Sequence, residues 1–439
     1  MKLGLARIRG LLRELDHPER RFHGALVAGT NGKGSVLALA GAALAEAGYR
    51  VGRTPKPHLV TYRERLAVGE RLVEPATFAA LVEETLPAAE RVARRHGEIS
   101  EFEFLTAVAF LWFARQRVEL ALVEVGLGGR LDATNAWDGG VAAITNVDWD
   151  HMDRLGHSLE AIGREKAAIV KRGDLAVTGA SGPGLAVIRR RCRRLGVPLT
   201  EVEPLPVLTV DRDGIVVGGV PAHPAGLRVG LRGRHQAANA AVALAILDAL
   251  ERRGIARVDA AAVATGFATA TWPGRLERLE AALSGAAGRE VWLDGAHNAG
   301  GAAALVDALE ELRPFISPGP LTLVLGIMGD KDVPAVLAQF ARLVAARADR
   351  ATRIITTRVD DSPRAMPPDR LAEQWRQAAM AAGTSAHEVF ATPDPDAALR
   401  TALAGGDGGP IVVAGSLYLV GAIRARLVDD PRLRDAEDG

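Results

Sequence analysis

From residue 24 onward, short apolar runs alternate with longer stretches whose apolar residues recur every three or four positions. The short runs predict buried strands, the longer stretches predict helices, and their steady alternation predicts an α/β fold. "GALVA" (24–28), "ELALVEV" (119–125) and "VAAIT" (141–145) are the strands of the first half, with helices over 34–47, 75–95, 101–115 and 158–171. Ahead of them, "MKLGLARIRGLLREL" predicts an amphipathic helix. "PVLTV" and "GIVVGGV", near 206–220, are shorter β-like pieces that precede a helix in "HQAANAAVALAILDALER". "WPGRLERLEAALSGAAGRE" then ends in glycine and alanine and predicts a joint between domains. Beyond it the rhythm restarts with "EVWL" (290–293), "LTLVLG" (321–326), "RIITT" (353–357) and "PIVVAG" (410–415). The expected layout is a first domain over residues 1–283 with a mostly parallel sheet, and a smaller doubly wound, Rossmann-like domain over residues 284–439. In such sheets chemistry gathers at the carboxyl ends of the strands.

Composition narrows the function more than the fold. The net charge is +1, from 54 basic and 53 acidic residues, so no whole-chain attraction to nucleic acid or an acidic membrane is indicated. A single cysteine, Cys192, excludes an internal disulfide framework and fits a reducing, cytoplasmic setting. The N-terminal helix lacks the apolar core and small-residue cleavage site of a leader, and no later stretch has the length of a membrane span. Only six of the 54 basic residues are lysine: Lys2, Lys33, Lys56, Lys166, Lys171 and Lys331. A chain that uses arginine wherever a surface cation suffices marks its few lysines as candidates for work that needs a point charge or a deprotonatable amine.

"VAGTNGKGSV" (27–36) joins a predicted strand to a predicted helix. Glycines there let backbone N–H groups turn toward phosphate oxygens, and the helix start adds a favourable dipole. Lys33 would reach the terminal phosphates, with Ser35 or Thr30 supporting a metal. The spacing is a variant of the usual phosphate loop: Gly29 stands three residues before Gly32, and Gly34 intervenes before Ser35. A tight turn with no ligand is the plain alternative. Glu124, at the end of the second strand, is placed to hold Mg2+, or is an ordinary strand-end glutamate. The third strand ends in "TNVDWDHMD", which brings Asp148, Asp150, His151 and Asp153 to the same edge, where the histidine gains a ligand reading from its carboxylate neighbours.

In "SLEAIGREKAAIVK", Leu159, Ile162, Lys166 and Ile169 share one helix face, the buried one. Burial disfavours an ammonium, and a neutral amine can take up carbon dioxide as a carbamate that behaves as a carboxylate. It would then hold His151 or a second metal. The alternative is a lysine whose stem runs past its neighbours to water.

Several stretches together resemble the folylpolyglutamate synthase/dihydrofolate synthase family of the Mur ligase superfamily. They are "KLGLARI", "VAGTNGKGS", "PHLVTYRERLAVGE", "EFEFLTAVAF", "EVGLGGRLDATN", "DHMDRLGHSLEAIGREKAAIVK", "GRHQAANAAVA", "WPGRLE", "LDGAHNAGG", "LGIMGDKD" and "GSLYLVG", in order from residue 2 to residue 421. The resemblance implies an ATP- and Mg2+-dependent ligase that joins glutamate to a pteroate or folate carboxyl through an acyl phosphate. It implies that residues 1–283 form an ATP-binding central domain and 284–439 a glutamate-ligase domain. Thr30, Asn31, Gly32, Lys33 and Gly34 would hold the phosphates, with Ser35 beside them; Glu124 and His151 match the metal ligands, and Lys166 the carbamylated lysine. Asn239, Arg275, Asp294 and His297 would contact nucleotide. Leu131, Asp132 and Ala133, with Phe102, would take the pterin-bearing substrate.

One departure stands out. Members commonly carry Thr-Ser-Pro-His-Leu, with the serine on magnesium, where this chain has "PKPHL". Lys56 stands in for that serine, and its ammonium is expected to replace part of the ion's charge, with Thr54 the alternative ligand. "AAIVK" in place of Ala-Gly-Ile-Ile-Lys is a smaller change. Two rivals remain. Cell-wall Mur ligases place a nucleotide-sugar-binding domain before the glycine loop, and only 28 residues precede Gly29. A nucleotide-binding module without catalysis is the other. Expected partners are ATP, L-glutamate and dihydropteroate or folates, with no nucleic acid, no membrane and a monomeric chain.

Overall fold

The computed structural model describes residues 4–280, 288–346, 352–359, 364–384, 388–405 and 408–435. Its first half is built on eight strands: β1 (His23–Ala28), β2 (Val51–Thr54), β3 (Ala67–Val68), β4 (Arg71–Leu72), β5 (Leu120–Glu124), β6 (Gly140–Ile144), β7 (Leu175–Thr178) and β8 (Leu199–Glu201). They lie in the order β4-β3-β2-β5-β1-β6-β7-β8, parallel except at the β2–β3 and β3–β4 pairs. Strand β1 is central, and its residues divide by parity. Ala25 and Val27 enter a core with Leu37, Leu122 and Ile246; Leu26 and Ala28 enter one with Phe110, Trp137 and Ile169. Both faces are covered by helices, which is why these strands read as unbroken apolar runs. Each fully buried Leu, Ile, Val or Phe in them contributes about 1.5–3 kcal/mol.

Register decides where the site falls. Val27 lies opposite Glu124, and Ala28 opposite Ile144. Chain reversal after β1, β5 and β6 therefore brings Gly29, Glu124 and Thr145 to one edge, beside the helix Lys33–Glu46. A small antiparallel sheet, β9 (Val207–Asp211), β10 (Gly214–Val217) and β11 (Leu227–Val229), follows in the order β11-β10-β9. Its Ile215, Val217, Leu227 and Val229 join the β1 core.

The second half carries β12 (Glu277–Leu279), β13 (Val291–Leu293), β14 (Leu321–Leu325), β15 (Thr352–Thr357), β16 (Glu388–Thr392) and β17 (Ile411–Ala414), ordered β12-β13-β17-β14-β15-β16. All pairs are parallel except β12–β13. The α/β fold with two mostly parallel sheets is as the alternation predicts. The expected joint at 283/284 lies outside the described residues. Strand β12, inside the stretch "WPGRLERLEAALSGAAGRE" and ahead of that boundary, already belongs to the second sheet.

Two sequence expectations change in detail. The helix expected over 158–171 spans Leu159–Ala167, and the chain then tightens, with Ile169 N–H on the Lys166 carbonyl and Val170 N–H on that of Ala167. Strands β2, β3, β4, β7 and β8 went unpredicted because they are short or polar and lack a long apolar run. Among the described residues no helix is long and apolar enough to cross a membrane.

Candidate active site

The turn from β1 into the helix Lys33–Glu46 uses two glycines in conformations that L-residues rarely adopt. Gly29 has φ 154° and Gly32 φ 82°. A Cβ on Gly32 would lie 2.1 Å from Asn239 Oδ1, and one on Gly29 1.8 Å from Thr145 Oγ1. The loop is thus pressed against its neighbours as well as turned. Asn146 Oδ1 accepts from the amides of Thr30 (3.0 Å) and Asn31 (2.9 Å), and Thr145 Oγ1 donates to the Asn31 carbonyl at 2.6 Å. Lys33 Nζ folds back over the loop, donating to the carbonyls of Gly29 (3.0 Å) and Thr30 (3.1 Å). Burial depresses its ammonium, an effect that nearby Glu124 opposes. Thr30 Oγ1 donates to the Asp148 carbonyl at 3.1 Å and accepts from its amide at 3.0 Å, so this hydroxyl ties two loops together. Ser35, buried on the first helical turn, is the hydroxyl of the two that remains for a metal.

Glu124 is buried at the end of β5. Its Oε2 accepts from the Lys56 amide at 2.9 Å, and its Oε1 is 4.0 Å from Lys33 Nζ. Burial raises its pKa, against the pull of Lys33 and the Lys56 amide. Lys56 Nζ donates to the Glu124 main-chain carbonyl at 3.0 Å and sits 4.6 Å from the Phe102 ring centroid. Lys166, on the inward face of its helix, is 3% exposed, and burial, with the charge of Lys33, brings its pKa down to about 7. It makes no hydrogen bond among the described residues, so the stem does not carry the amine out to water. Among the described residues no three His, Cys, Asp or Glu side chains form a metal cage. Mg2+ needs none, since one or two carboxylates with phosphate oxygens and water complete its shell. Glu124, Ser35 and the neutral His151 fit that ion.

His151 stands in the left-handed region, φ 48°, just before the short helix Met152–Leu155. Burial lowers its pKa to about 4, which leaves a neutral imidazole free to accept or to ligate. Its Nε2 accepts from Lys331 Nζ at 3.1 Å, and the same ammonium donates to Asp150 Oδ1 at 2.7 Å. Asp150 is the hub of the seam between the two halves. Asn298 Nδ2 reaches its Oδ2 at 3.3 Å and His297 Nε2 lies 3.7 Å away. Burial alone would raise its pKa, but His297 and Lys331 hold it well below the usual carboxylate range. Asn298 also exchanges side-chain hydrogen bonds with Asn31 of the phosphate loop, at 3.0 and 3.3 Å.

These residues line one cavity of about 640 Å3. It brings together Thr30, Asn31, Gly32, Lys33, Gly34, Ser35, Phe102, Glu124, His151, Lys166 and Asn239 from the first half with Arg275, Asp294 and His297. Asp294 uses its carboxylate on the amides of Leu276 (2.7 Å) and Ala296 (2.8 Å), and Asn239 donates to Gln236 Oε1 at 2.8 Å. Leu131, Asp132 and Ala133 stand apart from this group. None lines the cavity. Ala133 is packed in the core, and Asp132 spends both oxygens on the amides of Gly126, Leu127 and Thr134 and on the Thr134 hydroxyl. Asp132 shapes the wall whose inner face is the backbone of Val125–Gly128. Sequence reasoning missed Asp150 as the hub and Asn298 altogether, and reached Lys331 only as one of the scarce lysines. Lysine scarcity was the signal for Lys331: Lys33, Lys56, Lys166 and Lys331, four of the six lysines, line this cavity.

Comparison with known proteins identifies the family and the fold. Residues 27–247 match the Mur ligase middle domain and residues 274–417 the Mur ligase, glutamate ligase domain. The dihydrofolate synthase/folylpolyglutamate synthase of Bacillus subtilis (strain 168) is 32% identical, over 97% of this chain and 95% of its own length. The Mycobacterium tuberculosis folylpolyglutamate synthase complexed with ADP and AMPPCP superposes with a TM-score of 0.84 at 31% identity, over 98% of this chain and 96% of that one. A bifunctional folylpolyglutamate synthase/dihydrofolate synthase with Mn, AMPPNP and L-glutamate bound gives 0.77 at 29% identity, over 97% and 94%.

Proposed function

This chain belongs to the folylpolyglutamate synthase/dihydrofolate synthase family of Mur ligases, and from that premise we propose how its residues divide the reaction. It is an ATP-dependent ligase that joins L-glutamate to dihydropteroate, to (tetrahydro)folate polyglutamates, or to both, using ATP and a divalent metal. A carboxylate oxygen of the acid attacks the γ-phosphorus, the bond to the bridging oxygen breaks, and ADP leaves. The glutamate nitrogen then attacks the acyl carbon of the acyl phosphate; phosphate departs with the acyl oxygen, and the amine proton passes to solvent.

In our reading the loop Thr30–Gly34 cradles the phosphates with the amides that Asn146 does not take, and Lys33 swings from the Gly29 and Thr30 carbonyls to the γ-phosphate. Glu124, His151 and Ser35 hold the Mg2+, which supplies charge neutralisation at the phosphates when bound. Lys166, as a carbamate, orients His151 or a second ion. Asn239, Arg275, Asp294 and His297 position nucleotide from both halves, and Phe102, on the wall shaped by Leu131, Asp132 and Ala133, faces the pterin-bearing acid. Enclosure between two halves keeps water from the acyl phosphate. A near-neutral chain with one buried cysteine supports a cytoplasmic enzyme of small molecules.

The observation that carries this reading is the register of β1 against β5, which sets Lys33 beside Glu124, with residues of the second half across the same cavity. The test is glutamate-dependent ADP release, run with dihydropteroate and with tetrahydrofolate in parallel. Release with either acid is expected, and release with neither overturns the reading.

A further inference from the structure

Lys33, Glu124, Lys56 and Phe102 line the cavity and follow one another by contact. Lys33 Nζ is 4.0 Å from Glu124 Oε1, Lys56 Nζ is 3.0 Å from the Glu124 carbonyl oxygen, and the same ammonium is 4.6 Å from the Phe102 ring centroid. An ammonium carries three N–H donors. One is used by the carbonyl, and the ring face offers charge attraction but no lone pair. The nearby carboxylate of Asp132 is committed to the amides of Gly126 and Leu127 and to Thr134. Among the described residues Lys56 makes no ion pair: Asp132 and Glu124 act on it only from beyond ion-pair distance, and Glu124 Oε2 takes its main-chain amide instead. A half-buried cation with donors to spare, lining a cavity, has room for a closer anionic partner.

We propose that Lys56 is a catalytic residue whose ammonium takes the reacting carboxylate of the acid substrate. The assignment rests on the proposed function: with the terminal phosphate at Lys33 and the substrate's ring system at Phe102, the acid group falls between them, at Lys56. One carboxylate oxygen faces the ammonium while the other attacks the γ-phosphorus, and ADP leaves with the bridging oxygen. When the glutamate nitrogen adds to the acyl carbon, the electron pair moves onto the oxygen held by Lys56. It returns as the carbon–oxygen bond to phosphate breaks, and the amine proton goes to solvent. Lys56 keeps its proton throughout and acts as a fixed charge where negative charge develops.

The competing role is structural, a tie between the loop after β2 and the end of β5. Binding of dihydropteroate and of its carboxamide, which has the same shape without the charge, separates the two. The wild-type chain is expected to favour the acid by roughly tenfold to a hundredfold, the worth of a hydrogen bond to a charged group. Lys56→Met should bring that ratio close to one while leaving affinity for the carboxamide and for ATP unchanged, and Lys56→Arg should restore part of the preference. A preference retained in Lys56→Met, or equal weakening of both ligands, overturns the assignment. So does a wild-type chain with no preference for the acid. Lys56→Gln serves as the neutral variant should Met disturb folding. Failure of wild-type ADP release would strike the proposed function instead.

Discussion

The ion pair between Asp150 and Lys331 yields the sharpest quantitative prediction, because it joins the two halves at the site. The ammonium lies 2.7 Å from the carboxylate, with the side chains only 9% and 10% exposed. At an effective dielectric constant of about 20 the direct attraction is roughly 6 kcal/mol. Much of it offsets the loss of water by both groups, so what a substitution reads is the cost of leaving one charge without its partner, about 3–5 kcal/mol. Lys331→Met falls at the low end, since Asp150 still receives the His151 amide at 2.9 Å and the Asn298 amide at 3.3 Å. The partners sit in loops that follow strands of different sheets, so the loss should appear in closing the cleft rather than in unfolding either core. A cost of about 3 kcal/mol is roughly a hundredfold in kcat/KM for glutamate-dependent ADP release, with thermal unfolding near that of the wild type. Asp150→Asn should act alike, and the double variant should lose less than the sum of the singles by at least about 1.5 kcal/mol. Additivity within about 0.5 kcal/mol would refute the pair as a coupled tie, and a large fall in melting temperature would refute its assignment to closure.

Other substitutions test the neighbouring parts. Gly32→Ala imposes a left-handed conformation that costs about 1–2 kcal/mol and drives a methyl into Asn239; ATP affinity measured calorimetrically should fall at least tenfold while the fold persists, and unchanged affinity counts against the loop. For Lys166, burial lowers the folded pKa to about 7 from 10.5, so between those values the unfolded chain binds the extra proton and stability rises with pH. In buffer free of carbon dioxide, Lys166→Met should flatten that rise, and it should abolish uptake of isotopically labelled bicarbonate by the folded protein; equal slopes, or label retained in the variant, would contradict the reading. Lys56→Ser should shift the Mg2+ dependence of turnover to higher concentration, and an unchanged dependence would remove Lys56 as a substitute for metal charge.

What the sequence made legible follows from the physics of each signal. Buried parallel strands announce themselves as apolar runs, so β1, β5, β6, β13, β14, β15 and β17 were readable, and the loops at their ends came with them. Strand β2, whose four residues include Gly52 and Arg53, and strand β12, made of Glu277, Arg278 and Leu279, are held by ladder hydrogen bonds to their neighbours and carry no comparable signal. Lys166 could be placed on a buried face because helical periodicity is local. The meeting of Asp150 with Lys331, 181 positions apart, is tertiary, and composition alone hinted at the lysine. The hydrogen bonds of Asp132 to the turn that shapes the wall are likewise tertiary detail that the motif does not carry.

The charges lining the cavity fall into two groups, and the division assigns each a different duty. Asp150 with Lys331 and Asp330 with Arg364, at 2.7 and 3.1 Å, are satisfied within the protein. The first joins the halves and the second braces the loops around residues 330 and 364. Lys56 and Arg275 have no carboxylate within ion-pair distance among the described residues, and Asp294, whose charge acts on Arg275, is held by two amides. This surplus positive charge surrounds the phosphate loop and Phe102, where a triphosphate and a carboxylate would bring the complementary sign. Losing the Asp150–Lys331 pair should therefore change how the halves meet, at every substrate concentration. Losing a member of the second should change the affinity for one anion and leave the others bound as before. Screening follows the same division: salt should weaken substrate binding through the half-exposed surplus cations while leaving the buried seam nearly untouched.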